Sequence, residues 1–126
     1  LADYFLPAVR KAGLQSEHDH WFRASWDYLR GEIEKFPNDD QLRNTAAWFA
    51  SRSMRELDAA EKDITWALSH NPDQAAYLDT MAEIQFAKGN RAKAIEWSDR
   101  AMQLAPADDQ IRRQSARFRS GTFPTK

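Results

Sequence analysis

Pro37, Pro72 and Pro106 recur at intervals of 35 and then 34, and each closes an apolar helical run: EIEKFP, WALSHNP and AMQLAP. A recurrence of this length constrains the fold more than any single residue does, because periods of roughly 20–50 residues mark stacked units. The stretches between the prolines align as well. Ala60, Ala67 and Leu68 recur at an offset of 34 as Ala94, Ala101 and Met102, whereas Thr45, Ala47 and Phe49 match Thr80, Ala82 and Ile84 at a spacing of 35. One residue is therefore inserted between Ala50 and Ala60. The segment SRSMRELDA that contains it reads as the turn between two helices, where an extra residue is best tolerated.

Each unit reads as a helical hairpin. Only 4 Gly and 5 Pro occur in 126 residues, too few to punctuate the many short strands of a sandwich or barrel, so the chain reads as all-α. Gln74 to Lys88 carries Tyr77 or Leu78, Met81, and Ile84 or Gln85 at helical spacing, and Gly89 with Asn90 supplies a stop and a new start. Arg91 to Leu104 follows, carrying Ala94, Ile95, Trp97, Ala101, Met102 and Leu104 before Pro106 ends the run. Asp73 and the Asn38-Asp39-Asp40 cluster read as N-caps for the helices after Pro72 and Pro37. Ala47, Ala60, Ala82, Ala94 and Ala101 stand where two helices must approach closely, and larger side chains fill the spaces between units.

The two ends depart from the pattern. Gly13 takes the place of Gly89, but Gly13 to Pro37 is seven residues longer than Gly89 to Pro106, which adds two helical turns without rotating the apolar face Phe22, Trp26, Leu29, Ile33, Phe36. Ser16 and Asp19 read as a capping box for that long helix, and Leu1 to Ala12 as a separate helix that Pro7 bends or starts. Asp108 to Arg119 reads as a capping helix with a polar outer face. The organisation expected is a hairpin over 1–37, repeats over 38–72 and 73–106, a capping helix over 107–119 and a tail over 120–126, about seven helices in all. The start at Leu1, with no charged-then-apolar leader, reads as a piece of a longer protein.

The segment AYLDTMAEIQFAKGNRAKAIEWSDRAMQLAP resembles the tetratricopeptide repeat, a family of period 34, with Leu78, Met81, Ala82, Gly89, Ala94, Ala101 and Pro106 at its signature positions. The unit from Asp40 to Pro72 is similar and keeps Ala47, Ala60, Ala67 and Pro72, but it lacks the turn glycine. The resemblance implies a right-handed α-α superhelix of stacked antiparallel hairpins, of the bacterial type. It also implies a non-catalytic scaffold that holds a partner protein or peptide on its concave face, in the cytoplasm or periplasm.

Nothing in the residues opposes that reading. Zero cysteines exclude a thiolate metal site, an iron–sulfur cluster and a cysteine nucleophile. Four isolated glycines exclude a phosphate loop, a dinucleotide fingerprint and a nucleophile elbow. His18-Asp19-His20 has a metal-like look, but residues two apart on a helix point to different sides, so we expect no metal and no cofactor. His70 reads as a partner for the negative end of a helix, and Asp39-Asp40 and Asp108-Asp109 as caps. No apolar run approaches the roughly 18 residues of a membrane span, and we expect a soluble chain.

By the family's register, the concave face presents Asn44, Trp48, Ser51 and Arg52 from one unit and Asp79, Glu83, Phe86 and Ala87 from the next. Trp48 and Phe86 would anchor a partner, and Asp79 and Glu83 would favour a basic segment. The competing expectation is that the long N-terminal helix covers Trp48 and that the acids only solvate a face. Those acids oppose the carboxylate clamp of chaperone-binding relatives, which uses Lys, Arg and Asn. An alternative role is self-association by end-to-end stacking through Leu1, Tyr4 and Phe5. Single-stranded RNA binding fits less well, because the net charge is -1 and the positive charge lies late in the chain, at Arg112, Arg113, Arg117, Arg119 and Lys126.

Overall fold

The structure, a computed structural model, describes residues 7–121, with side chains from residue 14 onward except Gln15. Six helices follow one another: α1 (Pro7–Lys35), α2 (Asp40–Ser53), α3 (Leu57–His70), α4 (Ala75–Ala87), α5 (Arg91–Leu104) and α6 (Asp109–Ser120). No strand occurs among the described residues. α2 packs on α3 and α4 on α5 across three-residue turns, which makes each pair an antiparallel hairpin. Four-residue links join α1 to α2, α3 to α4 and α5 to α6. The first helices α2, α4 and α6 therefore start at intervals of 35 and 34, and the second helices α1, α3 and α5 end at the same intervals.

Among the described residues the helices number six where about seven are expected over the chain, because Gly13 and the Ser16–Asp19 pair lie inside the continuous helix α1. A lone glycine in a helix interior costs about 1 kcal/mol, which is too little to break a run whose neighbours all accept helix. Pro7 stands at the first position of α1, where its missing N–H is no loss. Leu1, Tyr4, Phe5 and the tail beyond residue 121 lie outside the described residues.

Caps and turns explain where the remaining helices stop. Asp39 and Asp108 accept from the backbone N–H groups of Leu42 (3.0 Å) and Ile111 (3.1 Å), one cap in each of two equivalent links. Asp73 does not cap α4, because Gln74 occupies that position. The α4–α5 turn closes on Gly89 at φ 90°, with Asn90 N–H bonded to the Gln85 carbonyl at 2.8 Å. The α2–α3 turn makes the same closure without glycine: Met54 takes φ 56°, and Arg55 N–H bonds to the Ala50 carbonyl at 3.1 Å. Glu56, also left-handed at φ 55°, then fills the N-cap position of α3 two residues after Met54, whereas Asn90 follows Gly89 directly.

Burial follows the small residues. Ala46, Ala47, Ala50, Ala60, Ala67, Ala82, Ala94 and Ala101 are all fully buried. Around them lie three apolar clusters. The largest joins α1 through α4 and holds Phe22, Trp26, Ile33, Ile64, Tyr77 and Ile84, with Phe22 stacked on Phe49 at 5.1 Å. The others place Phe118 of α6 with Ala82 and Phe86, and Ile111 with Leu78 and Ala101. α4 is enclosed by its neighbours and is buried without interruption from Tyr77 to Phe86.

Enlarging Ala82 to Leu should destabilise the chain by about 1–3 kcal/mol through overpacking between α4 and α5. Met54→Gly should stabilise it by about 1 kcal/mol, since glycine relieves a left-handed backbone that methionine tolerates poorly. Urea denaturation measures both, and an unchanged midpoint for Ala82→Leu would contradict the close approach.

Candidate protein-binding face

Four of the residues expected on an open face are interior. Ser51 is buried, with its hydroxyl donating to the Trp48 carbonyl at 2.7 Å. Asp79, Glu83 and Phe86 are buried too, each engaged by α6. Gln114 donates its amide N–H to Asp79, Arg117 forms an ion pair with Glu83, and the Phe118 ring lies 4.9 Å from that of Phe86. The physical reason is crowding: α6 lies across α4 and removes from water the side chains expected to meet a partner. Each covering residue stands about one repeat after the residue it covers, so the offset carries the signal once α6 is treated as the first helix of a further unit.

Asn44, Trp48, Arg52 and Ala87 do reach the surface, Arg52 exposed and the others half-buried. Phe49, the next residue, packs against the core cluster and stacks on Phe22 of α1, while Trp48 stays half-buried. The Arg52 guanidinium lies 5.6 Å from the centroid of the Trp48 indole, a cation–π distance that holds the ring in place. The Asn44 side-chain carbonyl is buried and meets no protein donor among the described residues.

Burial dominates the electrostatics of this face. It raises the Asp79 carboxyl to about 7, opposed by the Gln114 hydrogen bond and by Arg117, and reinforced by the charges of Glu83 and Asp108. Burial also pushes Glu83 up, against the pull of Arg117 and Arg52. Glu83 thus shares its charge between two guanidinium groups, and the acids expected to favour a basic partner are neutralised within the chain. What this face turns outward is an indole beside a cation.

Elsewhere, a shallow depression of about 660 Å³ runs along the outer side of α3, lined by Asp58, Glu61, Lys62, Thr65, Trp66 and Ser69. Lys88 reaches Asp58 (2.9 Å) and Glu61 (2.6 Å) at its edge. Trp66 is sandwiched between His70 (3.9 Å between centroids) and Arg43 (4.5 Å). Among the described residues no group of three His, Cys, Asp or Glu side chains is arranged to hold a metal ion, and His18 and His20 are both exposed. No described helix is long and apolar enough to cross a membrane.

The Asp79 carboxyl keeps its proton up to about pH 7 in the folded chain, whereas the ordinary value is 3.8. Folding therefore takes up a proton between those values, and this group's contribution to stability falls as pH rises through that window and levels off above about 7. Asp79→Asn should abolish this slope and leave the variant about 1–3 kcal/mol more stable than the parent at pH 8. Chemical denaturation across pH 4–8 measures the difference, and parallel pH profiles would contradict the assignment.

The chain matches no protein-family model, no curated protein and no solved structure.

Proposed function

We propose that this chain is a non-catalytic protein-interaction module built as a tetratricopeptide-like solenoid, a right-handed superhelix of stacked hairpins. The observation that carries the reading is a set of four polar links between helices. Arg23–Glu56 and Arg30–Asp63 join residues 33 apart, Arg117–Glu83 residues 34 apart and Gln114–Asp79 residues 35 apart. Links at one repeat length between successive units are what stacked hairpins produce, since each unit meets mainly its neighbours. Ala47, Ala60, Ala67, Leu78, Met81, Ala82, Gly89, Ala94 and Ala101 stand in that register, and all but Gly89 are buried.

The partner is a protein segment that covers Trp48 and Arg52. An aromatic ring and an arginine, held in one orientation by their mutual contact, are the residue types that dominate binding energy at interfaces. With Asp79 and Glu83 already paired inside the chain, the preferred segment carries a carboxylate next to an apolar side chain rather than a run of basic residues.

Peptides selected from a displayed random library against the parent chain should lose about tenfold or more in affinity for Trp48→Ala. Arg52→Gln should weaken the acidic members of the set more than the neutral ones. Both variants should melt within a few degrees of the parent. Selected peptides that bind both variants as tightly as the parent would refute this site.

A further inference from the structure

The seam between α4 and α6 is looser than the equivalent seam between α2 and α4. α4 lies along both α2 and α3, whereas α6 lies along α5 and its backbone stands away from α4. On the α5 side α6 is fastened: Arg91 donates to the Phe118 carbonyl at 2.7 Å, and Arg119 pairs with Asp99 at 2.6 Å. On the α4 side, side chains span the gap, with Gln114 on Asp79, Arg117 on Glu83 and the Phe118 ring against Phe86.

The polar part of this seam is incompletely matched. Asp79 and Glu83 are both buried one turn apart on α4, and α6 brings them a single guanidinium. Asp79 Oδ1 and Arg117 Nη1 are buried as well and meet no protein partner among the described residues. Buried polar groups left unmatched favour states in which water reaches them. Opening the seam hydrates Glu83 and Arg117 together, so neither charge is stranded, and Arg52 of α2 already acts on Glu83. Asp79 holds its proton through burial, reinforced by the charges of Glu83 and Asp108 and opposed by Gln114 and Arg117. Hydration releases that proton, so opening becomes easier as pH rises toward about 7 and levels off above it.

We propose that α6 is a displaceable intramolecular ligand, and that a helical partner segment carrying a cation, then an arginine three residues on and an aromatic residue directly after it, takes its place on α4. The occupant is read from the contacts that α6 makes. Gln114, Arg117 and Phe118 share one face of α6 at the spacing of three and four residues. The Arg117 guanidinium lies 4.9 Å from the centroid of the Phe118 ring and 5.5 Å from that of Phe86, so the cation and both rings form one group. A partner with the same arginine and aromatic repeats these contacts. A cation in the place of Gln114 adds an ion pair to the ionised Asp79, which the amide of Gln114 cannot supply. The site stands apart from the proposal for Trp48 and Arg52 and goes beyond it.

Two labelled peptides copying residues 109–120, one native and one with Gln114→Arg, serve as probes of the full 126-residue chain. At pH 8 the Gln114→Arg peptide should bind about tenfold more tightly than the native copy, and about tenfold more weakly at pH 5 than at pH 8. Replacing its arginine and aromatic at positions 117 and 118 by alanine should abolish binding. Asp79→Asn in the chain should make the two peptides equal and remove the pH dependence. Hydrogen exchange of the unmodified chain gives a reading without any variant: α6 amides should open while those of α2 stay protected, and the opening, corrected for the intrinsic rate, should rise by up to about tenfold per pH unit below pH 7. Exchange of α6 only together with the whole chain overturns the proposal, as do equal affinities of the two peptides for the parent. Binding that Trp48→Ala removes and Asp79→Asn leaves unchanged also overturns it, and would place the peptide at the Trp48 site.

Discussion

The distance between helices is set by alanine. Ala47 and Ala60 in one hairpin, and Ala82, Ala94 and Ala101 in the next, are fully buried, so the helix axes approach as closely as methyl groups allow. A hairpin pulled together this way has no room for an interior of its own. Its large side chains are displaced to the junctions between units, where Phe22, Trp26, Tyr77 and Ile64 form one cluster and Phe86 with Phe118 forms another. Trp97 borders all three clusters, and its position on α5 shows how the apolar interior is shared along the succession of helices rather than gathered at a centre.

The same closeness drives polar side chains inward, and each junction answers with a partner. Asp63 is buried on α3 and receives Arg30 of α1 at 2.5 Å and Arg43 of α2 at 3.3 Å, which ties three helices at one carboxylate. Glu83, buried on α4, receives Arg117 of α6. Such buried pairs contribute little net stability against apolar replacements, but stranding one member is severe. A slip of α6 by one turn along α4 would leave Glu83 without the Arg117 guanidinium, and so the pair fixes the register that the interchangeable alanines alone would leave loose.

Periodicity makes α2 to α5 legible, because prolines, caps and alanines act over a few residues and recur. The turn after Ala87 is legible for the same reason: Gly89 and Asn90 together form a strong stop. Gly13 has no second breaker beside it, so the helix runs on through Ser16 and Asp19. The site is legible only in part. The repeat indicates which side of a helix a residue occupies, but not which neighbour arrives to cover it. Reading α6 as a polar cap hides the fact that Gln114, Arg117 and Phe118 repeat the offsets of their targets, and it counts Asp79, Glu83 and Phe86 as open to a partner when they are not. Phe49 rather than Trp48 stacks on Phe22 of α1, a choice between adjacent aromatics that only packing decides.

The near-zero net charge conceals how the charges are divided. Interior acids are matched to polar and basic side chains of other helices, and these pairs contribute little to the outer field. What is left over is unequal: α6 exposes Arg112, Arg113 and Arg119, and Arg113 meets no carboxylate among the described residues, so this helix has a positive outer side although the total is near zero.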